Sequence, residues 1–364
     1  LNPPARGIPL DWYAVRWTGS LTVPGSGVRE IGVEGSDGFR LYLDGRLVID
    51  DWRKVSHRTL TVPVGYAPGS VHAFRLEFYE TIGNGRVKLI WDAGVADDWR
   101  ARIDSAVAIA RTSDVAVVVA GTEEGEFRDR ASLALPGHQE ELIEAVAATG
   151  RPVIVVLVAG SAVTMSRWID RVGAVLDVWY PGEEGGDALA DVLFGDADPA
   201  GRLPVTFPIA EGQLPLVYDH KPTGRGDDYV DLTGLPLFPF GYGLSYTTFA
   251  YSGLTITPDT IAAGGEAIVR CRVKNTGTRP GDEVVQLYLH RLLASVARPV
   301  LELRGFARVR LAPGEEREVA FTVRPSDLRY LDRDRHWVVE PGPVRVLIGG
   351  SSKDIRLRGE LIVR

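Results

Sequence analysis

Two unbroken runs of apolar, mostly β-branched residues limit the folds open to this chain: Val115–Ala120 (VAVVVA) and Pro152–Val158 (PVIVVLV). Each is too short for a buried helix and lacks the polar alternation of a strand with one wet face. Each therefore reads as a strand covered on both faces. Around them the period becomes helical: Ala101–Arg111, His138–Ala148 with Leu142, Ile143, Val146 and Ala147 apolar, Ser161–Arg171, and Asp187–Leu193. A third strand, Ala174–Val178 (AVLDV), lies between the last two helices. Strands alternating with helices of this length predict βαβ units and a parallel sheet. Three strands are few for a free-standing doubly wound domain, so further strands are expected upstream.

The flanks read differently. Residues 1–96 carry short alternating runs, FRLYL at Phe39–Leu43 and FRLEF at Phe74–Phe78, separated by the turn words SDG, LDG and GNG. In the first run Phe39, Leu41 and Leu43 face one way, Arg40 and Tyr42 the other. Trp12, Trp17, Trp52 and Trp91 serve as core packing or as a sugar-stacking platform. Residues 247–364 alternate again at Ala267–Val273, Val319–Val323 and Val344–Ile348, with turns at NTG, PGE and PGP. This predicts a small β-sandwich of the fibronectin III kind, a scaffold rather than a site. Between the two lies a Pro- and Gly-rich connector, 194–246, wrapped on the preceding domain and anchored by Phe238, Phe240, Tyr242 and Tyr246. The expected domains are therefore 1–96, 97–246 and 247–364.

Net charge is −7 with both signs interspersed, so no basic stripe points to nucleic acid. No apolar run approaches a membrane span. Cys271 is the only cysteine and no Cys/His cluster suggests zinc, so no metal or cofactor is expected. The only methionine is Met165, so Leu1 is no translation start, and the chain is expected to be a piece of a longer protein, secreted in its mature form.

The chemistry is expected in Gly121–Gly137, GTEEGEFRDRASLALPG, the loop that follows the first apolar strand. Open α/β sheets bind ligands at the carboxyl ends of their strands. Glu123, Glu124 and Glu126 crowd together, and mutual repulsion favours a protonated carboxyl that can serve as a general acid. The plainer reading is a solvated acidic loop, with Asp129 and Arg130 as an ion pair fastening it.

Longer words bring a family into view. WYPGEEGGDALADVLFGDADPAGRLPVTFP, FPFGYGLSYTTFAYS and VKNTGTRPGDEVVQLY, with EFRDRASLALPG before them, resemble glycoside hydrolase family 3 over roughly residues 97–364. VRWTGSLTVPGSG, EGSDGFRLYLDGRLVIDDW and VKLIWDAG resemble the PA14 β-sandwich over most of 10–95, without its usual opening strand. The resemblance implies a (β/α)8 barrel missing from this chain, then an α/β-sandwich domain interrupted by PA14, then a fibronectin III-like domain. It implies a retaining, exo-acting β-glucosidase acting on a glycoside, with the barrel part of the same protein as its partner.

In the family the nucleophile is a barrel aspartate in a Ser-Asp-aromatic word. Here Ser36-Asp37, Ser113-Asp114 and Ser326-Asp327 precede Gly, Val and Leu, so that group is expected outside this chain. The single carboxylate of Ser36-Asp37 also departs from the aspartate pair that holds calcium in sugar-binding PA14 modules. The family's Glu-Gly-X-Asp-Arg word points to Glu126 as acid/base. Phe127 replaces the usual glycine, and Glu123 and Glu124 remain alternatives. Asp129 and Arg130 then hold the loop, while Phe39 and Trp179 are expected to touch substrate. The loop wording is also similar to that of actinomycete macrolide β-glucosidases. A non-catalytic glycan-binding protein built from PA14 and fibronectin III modules is the competing class, and it has no need of the α/β segment.

Overall fold

The computed structural model describes residues 5, 7–83, 85–93, 98–125, 129–223 and 228–364. The chain forms two compact units, one within Leu1–Ala106 and Glu123–Ala131, the other within Val107–Thr122 and Ser132–Arg364.

The first unit is a β-sandwich of β1 (Tyr13–Thr22), β2 (Gly27–Gly35), β3 (Gly38–Leu43), β4 (Arg46–Asp51), β5 (Arg58–Tyr66), β6 (Val71–Glu80) and β7 (Val87–Trp91). The order β1-β6-β3-β4 makes one antiparallel sheet and β5-β2-β7 the other. Period-2 alternation turns Ile31, Val33, Phe39, Leu41, Leu76 and Phe78 inward, each no more than 4% exposed. Burying a side chain of this size contributes about 1.5–3 kcal/mol. The β3–β4 turn needs two left-handed residues, and Asp44 (φ 49°) and Gly45 (φ 79°) supply them.

The second unit opens its sheet with β8 (Ala116–Gly121), β9 (Val153–Val158) and β10 (Ala174–Asp177), all parallel, in the order β10-β9-β8. Helix α1 (Trp99–Arg111) precedes β8, and α2 (Gln139–Ala147) joins β8 to β9. Ile143 and Val146 of α2 are buried, as the 3.6-residue spacing requires. Helix α3 (Gly185–Phe194) stops at Gly195, whose left-handed backbone (φ 81°) sends its N–H back to the Val192 carbonyl.

One element differs from the sequence reading. Ser161–Arg171 is not a helix; only Ile169–Arg171 forms a single 3-10 turn. The Thr164 N–H instead donates to the Leu133 carbonyl at 3.0 Å, and Val163, Met165 and Trp168 are each at most 2% exposed. Anchoring these three side chains in the core outweighs a weak local preference around β-branched Val163 and Thr164.

A second sandwich follows. It consists of β11 (Phe249–Thr257), β12 (Thr260–Ile261), β13 (Ala267–Asn275), β14 (Gly281–Arg291), β15 (Glu302–Leu311), β16 (Glu316–Val323), β17 (Tyr330–Leu331), β18 (Trp337–Val338), β19 (Gly342–Gly349) and β20 (Ile355–Val363). Sheets β11-β13-β16 and β12-β20-β19-β14-β15 close over Val269, Cys271, Val285, Leu287, Val346 and Ile348.

The connector before it is tied down by polar side chains as much as by aromatics. Buried Gln213 donates to the carbonyls of Thr233 (2.9 Å) and Leu235 (3.0 Å) and accepts from the Ile209 N–H (2.7 Å). Phe238 stacks on Tyr242 and Phe240 on Tyr218. Tyr246, expected to anchor by burial, is 42% exposed. It anchors through its hydroxyl, which donates to the Val192 carbonyl at 2.6 Å.

Candidate functional site

The chain leaves β8 at Thr122 and enters the acidic segment at Glu123. Gly121 makes that exit possible. A Cβ there would lie 2.0 Å from the Val158 carbonyl oxygen, a distance no side chain tolerates. Its N–H and C=O are held by the Gln139 side-chain amide, at 2.7 and 2.9 Å. Thr122 is buried, and its N–H donates to the Val158 carbonyl at 3.0 Å. Where the segment returns, the Glu211 carboxylate accepts from the Ser132 hydroxyl at 2.6 Å and from the Leu133 N–H. Both stems are therefore fixed by side chains far away in sequence.

Within the segment, Glu126 lies outside the described residues, as do Phe127 and Arg128. Glu123 is exposed and Glu124 half-buried. The expected Asp129–Arg130 pair is corrected: Arg130 Nη2 donates to Glu124 Oε1 at 2.9 Å, while Asp129 is exposed. Arg130 thus closes the base of the segment through one of the acid/base alternatives.

Two substrate contacts were expected, and they fare differently. Phe39 is fully buried in the first sandwich, with the Arg58 guanidinium 4.3 Å above its ring. It has no surface for a ligand, and this corrects its assignment. The β3 alternation that put Phe39 beside Leu41 and Leu43 already required a core position. Trp179 is half-buried and meets Phe207 edge to face at 6.4 Å. Its backbone is left-handed (φ 51°), an outlier for so bulky a residue. The turn is held because Trp179 N–H donates to Asp177 Oδ1 at 3.3 Å. The next residue, Tyr180, is exposed, and its hydroxyl donates to the Thr122 carbonyl at 3.2 Å.

Asp177 escaped sequence reading, although a lone carboxylate in the apolar strand AVLDV was a signal. Its Oδ2 is shut off from solvent and has no hydrogen-bond partner among the described residues. Burial pushes its carboxyl up to about 6, against the Trp179 N–H, which favours the ionised form. Below about pH 4 the folded and unfolded chains both hold this proton. As pH rises from about 4 to about 6 the unfolded chain ionises first, so the folded state loses stability there and no more above it. Asp177→Asn removes the titration. Its stability relative to wild type should therefore climb by about 1–2 kcal/mol between pH 4 and pH 7, a figure discounted for the carboxyl's partial exposure. Urea unfolding at the two pH values measures this, and a pH-independent difference would contradict it.

Among the described residues no group of three or more His, Cys, Asp or Glu side chains is placed to hold a metal ion.

Comparison with known proteins agrees with this architecture. Residues 4–246 match the glycosyl hydrolase family 3 C-terminal domain, and residues 283–352 match a fibronectin type III-like domain. The chain is 39% identical over 270 residues to the periplasmic β-glucosidase of Salmonella typhimurium, covering 71% of this chain and 35% of that protein. It is 43% identical over 256 residues to a β-xylosidase of Formosa agariphila, covering 68% of this chain and 35% of the relative. Its fold matches the β-glucosidase of Kluyveromyces marxianus in complex with glucose with a TM-score of 0.71 at 30% identity, covering 97% of this chain and 45% of that one. The chain thus spans about a third to a half of the length of these relatives. With two thirds of its residues inside one family domain, this chain belongs to glycosyl hydrolase family 3.

Proposed function

We propose that this chain is the C-terminal portion of a retaining, exo-acting β-glucosidase and that Glu126 is its general acid/base. The observation that carries the reading is the acidic segment itself. It leaves a parallel strand at its carboxyl end, with both stems clamped by Gln139 and Glu211. That is where an open α/β sheet presents chemistry. Of the three glutamates, Glu124 is committed to Arg130, and Glu126 keeps the family spacing to Asp129-Arg130.

The reaction takes two steps. Protonated Glu126 gives its proton to the glycosidic oxygen while an aspartate of the family's barrel attacks the anomeric carbon; the aglycone leaves and a covalent glycosyl-enzyme forms. Ionised Glu126 then takes a proton from water, which displaces the aspartate from the sugar and leaves the anomeric configuration retained. The two carboxyl groups need to stand about 5–5.5 Å apart for this.

The substrate is a small glycoside with a terminal β-glucosyl residue, a glucosylated macrolide among the candidates. The relatives named β-glucosidase support the sugar, and the loop wording supports the aglycone. The first sandwich is a PA14 module, supported by its motif words and by two packed antiparallel sheets. An extracytoplasmic site of action is supported by the Salmonella relative, which is named periplasmic.

The test is activity toward aryl β-glucosides and aryl β-xylosides. The polypeptide carrying both barrel and this chain should hydrolyse the glucosides in preference, and this chain alone should be close to inactive. Hydrolysis by this chain alone, or none by the longer polypeptide, would refute the reading.

A further inference from the structure

Strand β14 ends in a buried charge. Arg291, its last residue, is 7% exposed, although a guanidinium is rarely buried without a partner. Its Nη1 donates to the Glu340 carbonyl at 2.8 Å. Its Nη2 is closed to solvent and has no hydrogen-bond partner among the described residues. Burial pulls this guanidinium below its ordinary pKa, and the nearby Arg298 adds to the effect; Glu340 and Glu302 act against it. A buried donor without an acceptor is costly, and more so when it carries charge. The end of β14 therefore lacks both an acceptor and a full counter-charge.

A cavity of about 520 Å³ opens beside it, with Arg291, Arg298, Arg333, His290 and Ser295 among its walls. The β14–β15 loop supplies Ser295 and Arg298, and the β17–β18 turn supplies Arg333. Arg291 and Arg298 lie over the same Tyr330 ring, 5.4 and 4.5 Å from its centroid. No carboxylate lines the cavity among the described residues. The two nearest are already engaged. Glu302 divides its oxygens between Arg298 (2.9 Å) and Arg304 (2.6 Å), and Glu340 accepts from the Ser295 N–H at 2.9 Å. Arg333 is exposed and has no ion pair among the described residues. His290 is held below its ordinary pKa by burial and then by Arg345, so its ring is neutral and offers an N–H.

We propose that the cavity at the end of β14 is a binding site for a phosphate or sulfate group, held between the guanidinium groups of Arg291, Arg298 and Arg333. A water molecule would supply the missing acceptor but no charge. A carboxylate supplies charge but only two oxygens. A tetrahedral oxyanion brings acceptors in several directions, and the planar fork of arginine suits it. The cavity is several times larger than one such ion, so it also has room for the organic part of a monoester. The inference rests on this cavity alone and does not depend on the hydrolytic reading.

Calorimetric titration of inorganic phosphate into this chain and into the longer polypeptide, at constant ionic strength, tests it. Both should give a saturable isotherm with one ion per chain, and sulfate should compete. Arg333→Ala, at an exposed position, should weaken phosphate binding by about tenfold, the loss of one charge-assisted contact. Arg291→Lys keeps the charge but loses the fork, and should weaken binding by more. If that variant fails to fold, Arg333→Ala still decides. Arg317→Ala, which removes only a surface pair with Glu315, should leave binding unchanged. Glycerol phosphate binding more tightly than phosphate would make a monoester the ligand, and equal affinity would make it the free ion; either result supports the site. No saturation, or equal affinity in wild type and Arg333→Ala, would overturn the proposal. So would binding by this chain but not by the longer polypeptide, which would mean that the remaining polypeptide covers the cavity.

Discussion

On the proposed function, Glu126→Gln is expected to lower kcat/KM of the longer polypeptide by about two to four orders of magnitude toward alkyl β-glucosides, the usual contribution of a positioned general acid. Toward nitrophenyl glucosides the first step should be nearly unaffected, because that leaving group departs without a proton. Glutamine keeps the size and the hydrogen-bonding oxygen of glutamate, so the loss reports the proton and not the packing. The neighbours provide controls. Glu123 is exposed, and Glu123→Gln should change either rate by less than about tenfold. Glu124→Gln breaks the pair with Arg130 and should slow both substrates alike, the signature of a disturbed loop. A leaving-group dependence that followed Glu123 or Glu124 would move the role to that residue.

The largest expected loss of stability lies elsewhere, at Arg202 and Glu283. Arg202 Nη2 stands 3.1 Å from Glu283 Oε1, with side chains 10% and 4% exposed. The pair joins the connector to β14 of the second sandwich. Glu283 Oε1 also accepts the Val284 N–H at 2.9 Å. Removing either partner leaves the other charge buried and unmatched, which costs about 3–5 kcal/mol. Arg202→Met and Glu283→Leu should each show that loss in urea unfolding. The double variant should recover most of it, since an apolar pair of similar volume needs no solvation. Single variants within about 1 kcal/mol of wild type would mean that water reaches the pair.

What the sequence made legible follows the strength of its periodicities. VAVVVA and PVIVVLV became β8 and β9 because continuous β-branched runs of that length have few other uses. The alternations in FRLYL and in Ala267–Val273 placed their core faces for the same reason. Ser161–Arg171 misled because the burial of Val163, Met165 and Trp168 is a tertiary fact that no local period encodes. Phe39 is a core residue because the alternation of its own strand sets it with Leu41 and Leu43, a stronger constraint than the resemblance of its turn. At the candidate site the sequence marks out the acidic segment, but not its fastening. Gln139, Glu211 and Arg130 act over separations of 18, 79 and 6 residues, and only the folded chain brings those partners together. Asp177 was written in the strand, yet its orphaned oxygen depends on what surrounds it.

If position 126 donates and recovers the proton in a retaining hydrolysis, its loss leaves the second step without a base. Glu126→Ala with an activated aryl glucoside and added azide tests it most directly. Without the carboxylate, water lacks its base and the glycosyl-enzyme persists. Azide is already anionic and needs no base, so it should restore turnover and yield the β-glucosyl azide, attacking from the face that water uses. Failure of azide to restore turnover, or an α-glucosyl azide as product, would contradict the assignment.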